Sequence, residues 1–441
     1  MKRLIVPKSQ QLLPYQKEGV LKLIKLRRSL LADQPGLGKT CQAIASSNAF
    51  QPQHMVVICP AVVRSTWAAE FKKWDTLGRE LQVISNGKQL LLPATRVVII
   101  SYDLAASEAW TKLLVAYLSK HSDSMLVCDE MHYCKSWKAK RTQVVVKQLV
   151  PNAKYVQLLT GTPITKCVSD LHPLLCAIEP HKWGKHQDFC YKFSYPYPTP
   201  FGSGVEFRGT RNEDELKERM APFTVRRFKQ DVLKDLPPKR YANVYLDIDA
   251  TVAEESLQLV DSALKQLGVE REALEQSDHV ATVRQRLGVA KLPAIYKWLD
   301  NYLESSPDEQ LVIFAYHKAV VHGVEAYLMD KGITTCAITG DTLPYMREKA
   351  VTDFQMGLKQ VMVGNLIACG TGVTLTASST VVFCEQDWNP ANMLQASDRV
   401  HRIGTINPVT IYMLLAKDSL DDHIIEVLEQ KMVDIENVVG A

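Results

Sequence analysis

The sequence predicts an α/β protein made of two parallel-sheet lobes with helical and irregular material between and upon them. Three observations carry that reading. Apolar strand-like runs recur, and each ends in a short polar segment leading into a helical pattern. The theme fills the first half, breaks between about Glu179 and Gly209, and returns after residue 304. A chain of 441 residues has room for two or three domains, each with its own core.

The elements follow in order. Met55–Cys59 (MVVIC) leads into PAVVRSTWAAEFKKW, Val97–Ile100 (VVII) into SYDLAASEAW, Met125–Cys128 (MLVC) into DEMH, and Val156–Leu159 (VQLL) into TGTP. Runs that are apolar throughout suit parallel strands covered on both faces. In such sheets chemistry gathers at the carboxyl ends of the strands, where these polar segments fall. HKWGKHQDFCYKFSYPYPTPFGSG, rich in aromatics, Pro and Gly, reads as an irregular insertion. A helical NEDELKERMAPF and the basic VRRFKQDVLKDLPPKR come next, then a largely helical stretch from about 251 to 304. QLVIFAYHK, TTCAITGD, KQVMVGN, STVVFCEQDWNP and PVTIYMLLA restore the strand-and-helix theme. KLIKLRRSLL, Lys22 to Leu31, reads as one solvated helix face. The lobes are expected at 1–238 and 239–441, with an insertion at about 179–225 and a helical protrusion at about 250–290.

Composition narrows the class. Hydrophobic residues are 46% and charged residues 23%, as in an ordinary globular protein. The net charge of +4 falls short of a strongly basic nucleic-acid binder, so any polyanion must be met by a local groove. The basic start MKRLIVPKSQ is broken at Pro7 and is too short for a signal peptide; no later apolar run could span a membrane. No membrane partner is expected, and the location expected is cytoplasmic, or nuclear in a eukaryote. Ten scattered cysteines without a CxxC pair argue against a disulfide framework or zinc site and for a reducing interior.

Candidate chemistry begins at LADQPGLGKT, Leu31 to Thr40. The loop lacks the first glycine of GxxxxGK[ST], since Asp33 stands there. Gly36 and Gly38 still let the backbone turn its N–H groups toward phosphate oxygens. Lys39 would neutralise the β and γ phosphates and Thr40 would ligate Mg²⁺. The run CQAIASSNAF would set a helix N-terminus at the anion. A glycine turn with a solvated lysine is the plainer alternative. Asp129-Glu130, at the end of a buried run about ninety residues after Lys39, favours the functional one. Asp129 would hold the metal through water and Glu130 would orient the attacking water. Arg399 and Arg402, three residues apart in QASDRVHRIGT, are expected to share a helical face. They read either as a solvated basic helix or as fingers reaching over the γ-phosphate from the second lobe.

With these residues in hand, the chain resembles the Swi/Snf-type branch of superfamily-two helicase-like ATPases. The likeness runs from about Leu12 to the C-terminal helix. LPYQKEGV resembles the family's adenine-reading motif, which implies Gln16 as an adenine contact. DQPGLGKT resembles motif I, departing from DEMGLGKT at Gln34 and Pro35. CPAVVRSTWAAEFKKW, ISYD, DEMH and LTGTP resemble motifs Ia, Ib, II (of the DEAH type) and III. VIFAYHK, ACGTGVTLTAS and QASDRVHRIGT resemble motifs IV, V and VI, the last implying a nucleotide contact from Gln395 and departing from the usual Gln at Thr405. RRFKQDVLKDLPPK and DWNP resemble segments that set this branch apart. VRQRLGVAKLPAI and VIFAYHK are most similar to the small annealing-helicase and fork-remodelling branch.

The resemblance implies two RecA-like lobes, ATP with Mg²⁺, and a monomer tracking along double-stranded DNA, with DNA repair or replication proteins as further partners. The absence of accessory modules fits a bacterial, archaeal or viral source. Backbone contacts to DNA are expected from Arg64, Ser101 and Tyr102 in lobe one, from Lys318, Gly340 and Thr374 in lobe two, and from Trp388 and Asn389 on the second strand. Two rival functions remain open. One is a strand-separating DNA or RNA helicase; the other is an ATP-gated scaffold that clamps DNA without moving.

Overall fold

Strand-forming runs with no polar position must bury both faces, and this chain builds two sheets that do so. The computed structural model describes residues 3–164, 167–198, 205–249, 251–258, 278–370 and 373–428. The first sheet contains β1 (Arg28–Leu31), β2 (Met55–Cys59), β3 (Leu81–Val83), β4 (Val97–Ser101), β5 (Met125–Cys128), β6 (Tyr155–Leu159) and, after a hairpin, β9 (Thr224–Val225). Their spatial order is β3-β4-β2-β5-β6-β1-β9, and every pairing is parallel. Alternate residues feed two cores. Val56, Ile58, Val98, Ile100, Leu126 and Leu158 face one core, packed with Trp110 and Leu114. Met55, Val57, Val97, Ile99, Val127 and Leu159 face the other, packed with Ile44, Trp67 and Phe71.

The second sheet contains β10 (Lys239–Leu246), β11 (Leu311–Ala315), β12 (Thr335–Ile338), β13 (Val361–Asn365), β14 (Thr380–Phe383) and β15 (Val409–Ala416). Its order is β10-β15-β14-β11-β13-β12, again wholly parallel. It too divides its side chains between two cores, Val312, Phe314, Val381 and Phe383 against Ile313, Val363, Val382 and Leu414. The chain leaves the first compact unit at Lys234 and enters the second at Asp235.

Two local readings change. Lys22–Leu31 is not one solvated helix face: the helix Pro14–Leu23 ends early, and Arg28–Leu31 is a central strand with Leu30 and Leu31 fully buried. The short run RSLL carries too few apolar residues to stand out, and its parallel partner β6 supplies the ladder. The insertion expected at about 179–225 holds the helix His186–Phe193, an antiparallel hairpin of β7 (Tyr195–Pro198) and β8 (Val205–Arg208), and the helix Glu213–Met220. Much of the protrusion expected at 250–290 lies outside the described residues; the helix Asp278–Ala290 lies within them. All ten cysteines are free thiols, seven of them buried.

Candidate active site

In the first sheet β1, β6 and β5 are consecutive neighbours, so their carboxyl ends open side by side. The phosphate loop follows β1, Thr160 follows β6, and Asp129-Glu130 follow β5. Motifs far apart in sequence thus meet through strand order alone. Gly36 (φ 86°) and Gly38 (φ 75°) take the left-handed backbone that residues with a Cβ resist, and Gly38 caps the helix Lys39–Phe50. A Cβ on Gly38 would also lie 2.5 Å from Gln16 Nε2. The first turn of that helix leaves backbone N–H groups without intrahelical acceptors, a ready anion cradle. Thr40 stands half-buried in that turn.

Lys39 Nζ donates to the carbonyls of Asp33 (2.8 Å) and Gln34 (3.4 Å). Gln16 is buried beside the loop; its Nε2 donates to Leu37 O (3.2 Å) and its Oε1 accepts from Leu13 N (2.9 Å). Asp33 fills the place of the missing glycine and is wholly buried. It accepts from Arg227 Nε (3.0 Å), Arg227 Nη2 (2.5 Å) and Gln42 Nε2 (3.0 Å). The departures at residues 34 and 35 also have partners. Gln34 Oε1 accepts from Lys229 N (2.7 Å), and the Pro35 ring lies against Gly161, where a Cβ would come within 2.7 Å.

The acidic pair is held hard. Asp129 Oδ2 accepts from Trp67 Nε1 (2.7 Å) and Oδ1 from Glu130 N (3.0 Å). Burial, then the neighbouring Glu130 charge, pushes the Asp129 carboxyl up to about 6, while Trp67 and Lys39 pull it back. Glu130 has φ 49°, a left-handed conformation that is costly for a residue with a Cβ. Its Oε2 lies 3.3 Å from His132 Nδ1, which in turn lies 3.1 Å from Thr160 Oγ1. This links the β5 and β6 loops through a side chain. Among the described residues no group of three or more His, Cys, Asp or Glu is arranged to hold a metal. Mg²⁺ binds through one or two carboxylates, phosphates and water. Two carboxylates on consecutive residues form a charge set that a divalent cation would relieve.

In the second lobe Arg399 and Arg402 do not share a helical face. The helix Pro390–Ser397 ends before them, and both lie half-buried in the turns that follow. Arg399 Nε donates to Gln395 O (3.2 Å), and Arg402 Nη1 donates to Thr374 Oγ1 (2.8 Å). Gln395 is buried in that helix. Thr405 accepts from Arg402 N (3.1 Å) and donates to Val400 O (2.7 Å), so its hydroxyl closes the turn.

The expected DNA contacts divide. Lys318 is exposed at the start of the helix Lys318–Asp330 and pairs with Asp341, and Gly340 is exposed with open space around it. Arg64 is half-buried and donates to Ala61 O and Ile84 O. Asn389 caps the helix Pro390–Ser397 through Ala391 N (3.0 Å). Three expectations are corrected. Tyr102 is buried, its hydroxyl donating to Asp129 O (2.7 Å), so it positions the acidic loop. Ser101 is buried and caps the helix Tyr102–Ala105. Trp388 packs in a core with Val280, Leu287 and Leu420. Such aromatic and hydroxyl residues after strands read alike in sequence whether they face solvent or core. Sequence reasoning also missed Trp67, His132, Thr160 and Arg227. For Arg227 a signal existed: Asp33, placed where burial is certain, needs a cation.

The SNF2-related domain model matches residues 15–277, and the helicase conserved C-terminal domain model matches residues 294–404. The SWI/SNF-related matrix-associated actin-dependent regulator of chromatin subfamily A-like protein 1 of Xenopus tropicalis is 30% identical over 427 residues, covering 96% of this chain and 44% of that protein. The DNA annealing helicase and endonuclease ZRANB3 of Homo sapiens is 28% identical over 421 residues, covering 93% of this chain and 39% of that protein. The chain therefore spans less than half the length of either relative. A solved Sulfolobus solfataricus SWI2/SNF2 ATPase core in complex with dsDNA aligns at 23% identity over 99% of this chain and 95% of that one, with a TM-score of 0.47. No helix among the described residues is long and apolar enough to cross a membrane.

Proposed function

Since the chain belongs to the SNF2-related family of helicase-like ATPases, we propose that it couples ATP hydrolysis to translocation along double-stranded DNA, remodelling DNA or protein–DNA complexes. The observation that supports this most is the meeting of the phosphate loop, Thr160 and Asp129-Glu130 at three adjacent strand ends. Lys39 binds the phosphates, and Gln16, buried beside the phosphate loop, contacts the adenine. Thr40 and Asp129 are the residues that would hold Mg²⁺, which would supply neutralising charge on the phosphates. Glu130 orients water for in-line attack on the γ-phosphorus and takes its proton, and ADP leaves with the bridging oxygen. Arg399 and Arg402 stabilise charge on the transferred phosphoryl group, and Gln395 contacts the nucleotide. On lobe two Lys318, Gly340, Thr374 and Asn389, and on lobe one Arg64, are offered to DNA phosphates.

The human relative's name, an annealing helicase, supports rewinding as one output. The chain is proposed to act as a monomer. The test measures triplex displacement and fork unwinding side by side at one salt concentration. ATP-dependent triplex displacement with poor fork unwinding is expected. Efficient fork unwinding without triplex displacement would overturn the translocase in favour of a strand-separating helicase. DNA binding with neither movement nor stimulated hydrolysis would favour the ATP-gated scaffold. DNA affinity should fall with salt by a slope of about −0.9 per phosphate neutralised and vary little with sequence.

A further inference from the structure

The residues that receive Lys39 are the residues that hold the chain's way out of the first lobe. Lys39 Nζ rests on the carbonyls of Asp33 and Gln34. The side chains of the same two residues grip the segment 226–229, five residues before the first unit ends at Lys234. Asp33 takes both Nε and Nη2 of Arg227, at 3.0 and 2.5 Å, and Gln34 Oε1 takes Lys229 N at 2.7 Å. Arg226 Nη1 adds a bond to Ala32 O at 2.9 Å.

Arg227 is the hub. Its guanidinium also donates to Gln42 Oε1 (2.7 Å), in the helix that the phosphate loop opens, and to Tyr15 O, next to Gln16. It lies over the Tyr15 ring, 5.2 Å from the centroid. One cation thus joins the adenine side, the phosphate loop, the loop's helix and the exit segment. Its side chain is 13% exposed and Asp33 is 0% exposed, so the pair is shielded from the solvent that weakens surface ion pairs. A planar five-donor fork suits this geometry, and an ammonium cannot reproduce it.

We propose that Arg227 is a positioning residue that relays nucleotide occupancy from the phosphate loop to the segment leaving lobe one, through Asp33 and Gln34. The relay rests on the ATPase reading, because it needs Lys39 to exchange those two carbonyls for phosphate oxygens. When Lys39 moves, the peptide units of residues 33 and 34 lose a shared donor and reorient. Their side chains carry that change into residues 226–229. Gln34, a departure from DEMGLGKT, is then part of the coupling: Asp33 and Gln34 are what the segment is fastened to.

Amide hydrogen exchange of the full chain, with and without a non-hydrolysable ATP analogue and Mg²⁺, tests the relay without hydrolysis. In the wild type the analogue should change exchange in both 33–40 and 226–234. Arg227→Lys, which keeps the charge against Asp33, should retain the first change and lose the second. The same variant should bind ATP with unchanged KM while its DNA-stimulated kcat falls on the order of tenfold. Gln34→Ala should weaken the change at 226–234 without disturbing 33–40. A wild-type change confined to 33–40 overturns the relay and leaves the ATPase reading standing. No change in either segment overturns both. Loss of both changes in Arg227→Lys, or a parallel rise in KM, makes Arg227 a structural anchor only and also overturns the relay.

Discussion

The two lobes present their charged groups in opposite styles. In lobe one each functional side chain is fixed by buried neighbours: Asp129 by Trp67 and its own loop, Glu130 beside His132, Lys39 on two carbonyls. In lobe two the arginines sit in turns beyond a helix, where Arg402 donates to Thr374 and Arg399 to the carbonyl of Gln395. A site that must place water against phosphorus needs fixed groups. Arginines that serve a charge appearing only during reaction need to be able to leave their resting partners. On the proposed function, the contrast sets groups held among buried neighbours beside arginines held in turns.

The widest break comes from removing one group on each side. Glu130→Gln should lower kcat by about 10²–10⁴-fold with ATP binding retained. Arg402→Ala should cost on the order of 10³-fold, also with binding retained. Steady-state ATPase with nucleotide titrations checks both. Near-normal turnover in Arg402→Ala would remove Arg402 from the part in hydrolysis proposed for it.

Acid should separate the lobes next. Burial, then the neighbouring His186, holds His172 down to about 4, against an ordinary 6.5. Between those values the unfolded chain binds a proton that the folded chain refuses. Lobe-one stability should therefore be whole above pH 6.5 and fall toward pH 4, by on the order of 2–3 kcal/mol. Glu385 in lobe two behaves otherwise. Burial raises it, but its bonds to His317 outweigh that and hold it below 4.5. Its contribution is present above 4.5 and is lost only below. Denaturant unfolding at pH 7 and pH 5, followed by Trp137 fluorescence, reads lobe one, since Trp137 Nε1 donates to His172 Nδ1 at 2.8 Å. If the slope survives His172→Gln, this histidine is not its source.

Packing sharpens the picture further. Gly161→Ala should destabilise lobe one by about 1–3 kcal/mol, because the new methyl meets the Pro35 ring. Pro35→Ala should recover part of that loss, and a double-mutant cycle measures the coupling. Additive losses would mean that the two loops do not share this contact. The smallest effect is expected from Thr374→Val. Arg402 must leave this resting acceptor to act, so removing a bond worth about 1 kcal/mol should raise kcat, by roughly fivefold at most. A drop in DNA affinity with kcat unmoved would mean that Thr374 acts through the DNA contact proposed for it and not through Arg402.

The parallel sheets and the chemistry at their ends were legible because long apolar runs such as MVVIC and MLVC can do little else. Phosphate-loop glycines were legible for the same kind of reason, since Gly36 and Gly38 occupy backbone that other residues avoid. RSLL was not, because four residues carry no period and the partner strand lies over 120 residues away. Tyr102 and Trp388 were read as surface contacts because an aromatic after a strand carries no mark of the side it faces. Arg399 and Arg402 were placed on a helical face that the structure does not have, because three-residue spacing also fits a chain of turns. Arg227 was hidden by distance, 194 residues from Asp33.

The backbone of Glu130 has a consequence for the history of such a chain. At φ 49° the residue holds a conformation costing on the order of 1 kcal/mol or more, which glycine would adopt freely. The function proposed for it needs a carboxylate at this place. A copy of this gene released from the need to hydrolyse ATP would gain stability by changing this codon, and selection on folding alone would favour the change. With Glu130 as the proposed base, the strain at position 130 is a cost that turnover would offset.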